Sequence, residues 1–286
     1  MMAVNNLLLP ILDYLMEKRG FDFSGYRAAM LERRISRRLA ATRCKDFHRY
    51  LTFLQNNPAE LDMLLDAITI NVSSFFRDPL TFELLADRII PSILESKFRL
   101  KDDSIRIWSA GCAMGEEPYS LAIIIHELLQ KEKLRITPHI FATDIDAKAL
   151  KEAEKAVYKT SSLENIKQRQ ITRYFTQASQ AFQLLPEIIN MVTFSQYDML
   201  DQKRRVPPAS IFGNFDLILC RNLLIYFNTD YQKTIFTKLH HALAQNGILI
   251  LGQAEAPGPK HQHFFSRIID FSPIYRKRQE NISHET

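Results

Sequence analysis

Apolar residues recur every three or four positions through the first hundred residues, and the period then changes. The helical pattern covers 7–18, 26–44, 47–55, 58–68 and 79–98, with glycine only at Gly20 and Gly25. This predicts an all-α domain over 1–99 whose last helix links onward. Beyond Lys101, short β-rich runs appear at 105–108, 139–143, 191–195, 215–220 and 247–251. They alternate with helical segments at 117–132, 147–157 and 230–244. Strands alternating with helices predict an α/β domain over 100–286 built on a parallel sheet covered on both faces. Between about 158 and 192 the text loosens into Gln, Ser and Thr, which marks a small inserted subdomain. A last run at 271–275 reads as an edge strand.

The segment Ile105-Arg-Ile-Trp-Ser-Ala-Gly-Cys-Ala-Met-Gly-Glu-Glu-Pro-Tyr-Ser-Leu-Ala-Ile-Ile-Ile125 is the one around which the α/β half is organised. It reads as strand, tight loop and helix, and in an α/β sheet such a loop lies where cofactors bind. Gly111 and Gly115 permit positive φ and a close approach to the backbone. Glu116 and Glu117 follow. A phosphate loop presents bare amides or a lysine, whereas carboxylates favour hydroxyl, amino or sulfonium groups.

The other strand ends carry polar groups as well. Asp144 closes the second strand, where an acidic residue suits ribose hydroxyls or, equally, caps the helix that follows. Asp198 with Met199 follows the third strand, and Arg221 with Asn222 the fourth. Such convergence marks a cofactor crevice. The Gly111–Gly115 spacing is not Gly-x-Gly-x-x-Gly, which disfavours a dinucleotide and favours S-adenosylmethionine. Before the linking helix, Asn71, Ser73 and Ser74 with Phe75, Phe76 and Arg77 form a polar, aromatic-backed junction. Its simplest alternative is a capped helix start with Asp78 as cap and Pro79 in the first turn.

Composition narrows the class. The chain has 286 residues, 46% hydrophobic and 24% charged, enough for a full core, and no apolar run approaches a membrane span. Its three scattered cysteines, without a Cys-x-x-Cys pair, suit a reducing cytoplasm and argue against zinc. The net charge of +5 is modest, but arginines crowd residues 27–49, with Arg34, Arg37 and Arg38 on one helix. That face suits an acidic partner, either nucleic acid or protein, or is simply solvated.

These blocks together carry a resemblance. Ser109 to Ser120, Asn71-Val-Ser-Ser-Phe-Phe-Arg77, Thr143-Asp-Ile-Asp146 and Cys220-Arg-Asn-Leu-Leu-Ile-Tyr-Phe227 resemble, in order and spacing, the CheR family of chemotaxis receptor glutamate methyltransferases. The resemblance implies a Rossmann-like class I methyltransferase sheet with an all-α N-terminal domain and a small inserted β-subdomain. It implies an S-adenosylmethionine cofactor, S-adenosylhomocysteine as product, and glutamates on the cytoplasmic helical domain of chemoreceptors as acceptors. By similarity, Asn71, Ser73, Arg77, Gly111, Glu117, Asp144, Asp198, Met199, Arg221 and Asn222 line the cofactor pocket, with Glu116 close by. Arg77 and Tyr226 lie nearest the transferred methyl by the same similarity, while the charge of the basic helix places Arg34, Arg37 and Arg38 against the receptor.

A cytoplasmic monomer without membrane insertion or nucleic-acid partner is expected. The inserted text 175–185 lacks the glycines of members that dock on a receptor's C-terminal pentapeptide, so such tethering is not expected. Gly252-Gln-Ala-Glu255 replaces the family's more usual Gly-His-Ser-Glu. The rival readings are an RNA or DNA methyltransferase using the basic helix and a non-catalytic S-adenosylmethionine-binding regulator. The first lacks a Pro-Pro-Tyr type of loop at Arg221-Asn-Leu-Leu, and the second sits poorly with intact Arg77 and Tyr226.

Overall fold

The computed structural model describes residues 7–69 and 73–278. The described chain clusters into two compact units, 7–69 with 225–232, and 73–224 with 233–278. Each is built around its own apolar contacts.

The first unit contains α1 (Leu9–Arg19), α2 (Ala28–Ala41), α3 (Phe47–Asn56) and α4 (Pro58–Ile68). Local signals fix their ends. Gly20 stops α1 in the left-handed conformation at φ 75°, where its N–H reaches the Met16 carbonyl. Asp46 caps α3 by accepting the Arg49 N–H, and Pro58 opens α4. Buried Leu31, Ile35, Tyr50, Leu54, Leu61 and Leu64 form the core of this unit.

In the second unit, α5 (Pro79–Leu84), a π turn (Leu85–Ile89) and α6 (Ile90–Leu100) run on without a break. The sequence pattern predicts one regular helix here. Pro91 has no N–H to give the carbonyl four residues earlier, and a widened turn in front of it absorbs the missing bond. This helical stretch clusters with the sheet and not with α1–α4.

The sheet strands are β1 (Ser104–Ala110), β2 (Thr137–Asp144), β6 (Val192–Gln196), β7 (Phe215–Cys220), β8 (Leu243–Leu251), β9 (Phe265–Ile269) and β10 (Ile274–Lys277). Their spatial order is β6-β2-β1-β7-β8-β10-β9. The first five are parallel, as the alternating pattern predicts, but β10 runs antiparallel to both β8 and β9. The sheet is therefore mixed. The expected edge strand at 271–275 is corrected too. Phe271 lies in the turn, β10 is internal, and the edge is β9, whose five residues follow a 3-10 turn and read as loop.

Helices α7 (Glu116–Glu132), α8 (Ala147–Lys155) and α11 (Thr229–Ala242) connect the parallel strands. α8 stops two residues short of the expected end because Ala156 turns left-handed at φ 52° and Val157 opens a new strand. The insertion holds β3 (Val157–Lys159), β4 (Phe175–Ala178) and β5 (Ala181–Leu184), an antiparallel sheet ordered β3-β5-β4, with α9 (Gln168–Tyr174) and α10 (Pro186–Ile189) around it. Ser179, at φ 55°, takes the left-handed place in the β4–β5 turn that glycine often fills.

Candidate functional site

The parallel register brings the ends of β1, β2, β6, β7 and β8 to one edge, since Ala110 pairs Thr143, Asp144 pairs Gln196 and Cys220 pairs Leu251. The loop after β1 is tied to this edge by its backbone. Gly111 and Cys112 donate N–H groups to the Thr143 carbonyl at 2.8 and 3.0 Å. Gly115 has φ 90°, and a Cβ there would stand 3.0 Å from the Ala153 Cβ and 3.1 Å from the Tyr158 hydroxyl, so no side chain fits. Tyr158, from the inserted subdomain, donates its hydroxyl to the Met114 carbonyl at 2.9 Å.

Asp144 sits against that loop. Its Oδ2 accepts the Ala113 N–H at 2.9 Å and its Oδ1 the Asp146 N–H at 3.0 Å. The helix cap is Asp146, which accepts from Lys148 and Ala149, so Asp144 is free of the capping role that the spacing left open. Burial pushes the Asp144 carboxyl above the ordinary aspartate range, and the backbone N–H groups of Asp146, Ala113 and Ile145 pull it partly back. A carboxylate has about four acceptor sites, so Asp144 retains capacity for a further donor.

Arg221 organises the opposite flank. Its guanidinium is 1% exposed and joins three segments: Nη1 reaches Glu117 Oε2 at 3.0 Å, and Nη2 reaches Asp78 Oδ2 at 2.7 Å and the Arg77 carbonyl at 2.8 Å. Phe82 lies beneath it, 5.3 Å from ring centre to guanidinium carbon. Glu117 gives its other oxygen to the Ser109 hydroxyl at 2.8 Å. Thus Glu117 and Arg221, expected as pocket residues, first hold β1, β7 and the start of α5 together. Asp78 stands at the cap position but makes no side-chain cap bond; its carboxylate serves Arg221 instead.

Glu116 is 3% exposed, and its Oε2 has no hydrogen-bond partner. Burial raises its carboxyl above the usual range, and its own backbone N–H and then the Ser73 hydroxyl partly offset this. Its carbonyl accepts from Ser120, whose hydroxyl in turn accepts the Phe76 N–H at 3.0 Å. The 73–77 junction is thereby fixed to the first turn of α7.

Asn222 adopts φ 56° and is held by Glu255, a buried residue of the Gly252-Gln-Ala-Glu255 segment to which the sequence pattern assigned no role. Glu255 Oε2 accepts the N–H of Asn222 at 2.9 Å and of Gly252 at 2.7 Å, bridging the ends of β7 and β8. The Gly-x-x-Glu spacing was the available signal, because a Cβ on Gly252 would stand 2.7 Å from that same oxygen. Asp198 accepts the Leu200 N–H at 2.8 Å, which leaves its turn at the β6 end, with Met199 buried beside it. Asn71 lies outside the described residues.

The remaining candidates belong to the first unit. Tyr226 is half-buried; its carbonyl accepts the Arg27 N–H at 2.9 Å, and its neighbour Phe227 bridges to Tyr26, with ring centres 4.8 Å apart. Arg38 makes a forked bond to buried Glu60 at 2.9 and 2.6 Å, and Tyr50 donates to the same carboxylate. Arg34 donates to the Ala67 carbonyl at 2.6 Å; burial lowers its pKa, and the nearby Tyr226 raises it. Arg37 alone of the three is exposed, with Arg33 beside it. The helix is basic, but two of its three candidate cations are occupied internally.

The donor set of the second unit fits S-adenosylmethionine: an orphaned, buried Glu116 oxygen and a carboxylate at the end of β2 suit cationic and hydroxyl groups and repel phosphate. Comparison with known proteins agrees. The family model described as CheR methyltransferase, SAM binding domain, matches residues 71–269, and the model of the CheR all-alpha domain matches 8–69. The chain is 31% identical to the chemotaxis protein methyltransferase of Borreliella burgdorferi over 82% of this chain and 83% of that one. It is 32% identical to the chemotaxis protein methyltransferase of Salmonella typhimurium and 31% identical to that of Escherichia coli, each over 86% of this chain and 82% of the relative.

Proposed function

The chain belongs to the CheR methyltransferase family, and from that premise we propose that it methylates glutamate side chains on the cytoplasmic helical domain of chemoreceptors. The products are glutamate methyl esters and S-adenosylhomocysteine. S-adenosylmethionine supplies, when bound, an electrophilic sulfonium methyl.

The observation that carries the choice of acceptor is the chemistry of the rim. Among the described residues placed there none is a histidine, and burial pushes the Cys112 and Cys220 thiols well above their ordinary range. Among the described residues of the rim, neither a histidine nor an ionised thiol stands ready as a general base. A glutamate acceptor needs none, because its carboxyl, with a reference pKa near 4.3, is already ionised at neutral pH. Sulfonium and carboxylate neutralise one another on the way to the transition state, so the protein contributes alignment and exclusion of water.

Within this reading Glu116, Glu117, Asp144 and Asp198 hold the cofactor's cationic and hydroxyl groups. Gly111, Ser73, Met199, Arg221, Asn222 and, outside the described residues, Asn71 complete the pocket. Arg77 orients the acceptor carboxylate, and Tyr226 shapes the methyl-transfer position. Exposed Arg37 contributes to receptor attraction, while Arg34 and Arg38 act mainly by holding the helical unit in shape.

The test is transfer of labelled methyl to receptor fragments followed by mild alkali. Esters release methanol; retention of the label would replace the glutamate assignment with N-methylation. For Arg77, turnover of Arg77→Ala should fall by several kcal/mol of barrier while its melting temperature barely moves. Arg77→Lys should rescue poorly, since a point charge does not reproduce a planar fork. Wild-type turnover in folded Arg77→Ala would end that assignment.

A further inference from the structure

The opposite edge of the same sheet, where the strands begin, carries a different surface. Ser104 pairs Thr137 and Phe215 pairs Leu243, so the starts of β1, β2, β7 and β8 share this edge. Two short segments project large apolar side chains there: Phe98 and Leu100 in the last turn of α6, 67% and 75% exposed, and Ile211 and Phe212 before β7, 93% and 59% exposed. They are fixed to the same place. Lys97 bonds Asp216 at 2.8 Å, and the Arg106 N–H bonds the other oxygen of Asp216 at 2.9 Å. The Arg106 guanidinium holds the 210–213 loop through the Ser210 hydroxyl at 2.6 Å and the Phe212 carbonyl at 3.0 Å. The tip at Ile211 and Phe212 is thus presented by a rigid turn.

Around it the exposed charges are mostly positive. Lys101 follows α6, Lys133 and Arg135 lead into β2, and Arg278 follows β10, whose end lies at this edge. Of the nearby acids, Asp102 and Asp216 share Lys97, Glu132 lies 3.3 Å from Lys131, and Asp103 is exposed. Among the described residues no helix is long and apolar enough to cross a membrane.

We propose that this edge adsorbs to an anionic lipid surface, with Ile211 and Phe212 entering the headgroup boundary and Lys101, Lys133 and Arg135 meeting lipid phosphates. Projecting apolar tips ringed by dispersed cations match interfacial binding, in which buried apolar area and attraction to anionic lipid add together. A protein partner would call for a central packed pocket with anchors, and the apolar groups here project from two separate segments. Adsorption in this sense leaves the carboxyl edge facing away from the lipid and open to an acceptor. It stands independently of the glutamate assignment.

The test is cosedimentation of the full chain with vesicles of phosphatidylcholine alone and of phosphatidylcholine mixed with equimolar phosphatidylglycerol, at low and high salt. Binding to the anionic vesicles that weakens with salt is expected. Ile211→Ser with Phe212→Ser should lower partitioning about tenfold or more, and Lys101→Glu with Lys133→Glu and Arg135→Glu should abolish the preference for anionic lipid. Cofactor affinity and melting temperature are measured on each variant; Ile211→Ser alone, at the most exposed position, serves if the double variant folds poorly. Absent binding to anionic vesicles, or binding unchanged in folded variants, overturns the proposal. Retention on heparin or an acidic protein without vesicle binding overturns it in favour of a soluble polyanionic partner.

Discussion

Arg221 and Arg106 stand toward opposite edges of one sheet, and each guanidinium ties its own strand to other parts of the chain, yet they are enclosed by different chemistry. Arg221 is sealed among two carboxylates, a carbonyl and the ring of Phe82. Arg106 takes carbonyls and a hydroxyl, and lies 5.0 to 5.4 Å from the ring centres of Phe141, Phe212 and Phe215. At the carboxyl edge charge is buried and paired, with acidic oxygens left over. At the amino edge charge is dispersed into solvent beside exposed apolar groups. An edge that receives a cationic ligand must store negative charge out of water, which demands a buried partner; an edge that only meets a surface does not.

That contrast is broken most strongly at Arg221. Arg221→Met strands the Glu117 carboxylate in a water-poor site and leaves the more exposed Asp78 unpaired, and should destabilise the protein by about 3 kcal/mol. Denaturant unfolding measures it, and a loss under 1 kcal/mol would show that the clamp is solvated. Next comes Asp144→Ala, which should weaken S-adenosylmethionine binding by about 1.5 to 3 kcal/mol with the fold intact. Unchanged affinity in calorimetry would remove Asp144 from the pocket.

Arg106→Ala should cost about 1 to 2 kcal/mol of stability through the loosened 210–213 loop. Cofactor affinity should stay at the wild-type value, and a matching drop would mean that the two edges are coupled.

The smallest effect has the opposite sign. Because burial raises the folded-state pKa of Glu116 above its ordinary 4.5, the folded protein holds this proton more tightly than the unfolded chain. Stability from this group is therefore greatest at low pH and is lost as pH rises from about 4.5 through the folded value. At neutral pH the charged carboxylate opposes folding, so Glu116→Gln should raise stability by about 1 kcal/mol while weakening the cofactor. A lower melting temperature at pH 7, or a variant gain that does not shrink at pH 4, would contradict this account.

The central elements were legible because their signals are local. Gly111 and Gly115 around a strand-to-helix turn announced the loop, and the apolar run 215–220 announced a strand buried on both faces. The antiparallel end of the sheet was not legible. β9 is a five-residue edge strand, and its direction depends on which neighbour it pairs with. Nor was the fate of the arginines: Arg34, Arg37 and Arg38 look alike on a helical pattern, and only packing against Ala67 and Glu60 separates the occupied pair from the exposed Arg37.

The sequence by itself determined the alternation of strand and helix, the glycine loop, the acidic residues at strand ends and the family, since each rests on residue type and spacing along the chain. Tertiary structure alone decided which carboxylates remain available. Asp144 and Asp146 are two residues apart with the same side chain, and one caps α8 while the other faces the loop. Glu116 and Glu117 are adjacent on the first turn of α7, so their side chains diverge by about 100°. One meets Arg221 and the other ends in a buried orphan oxygen. That division depends on partners more than a hundred residues away, and a chain pattern carries no such information.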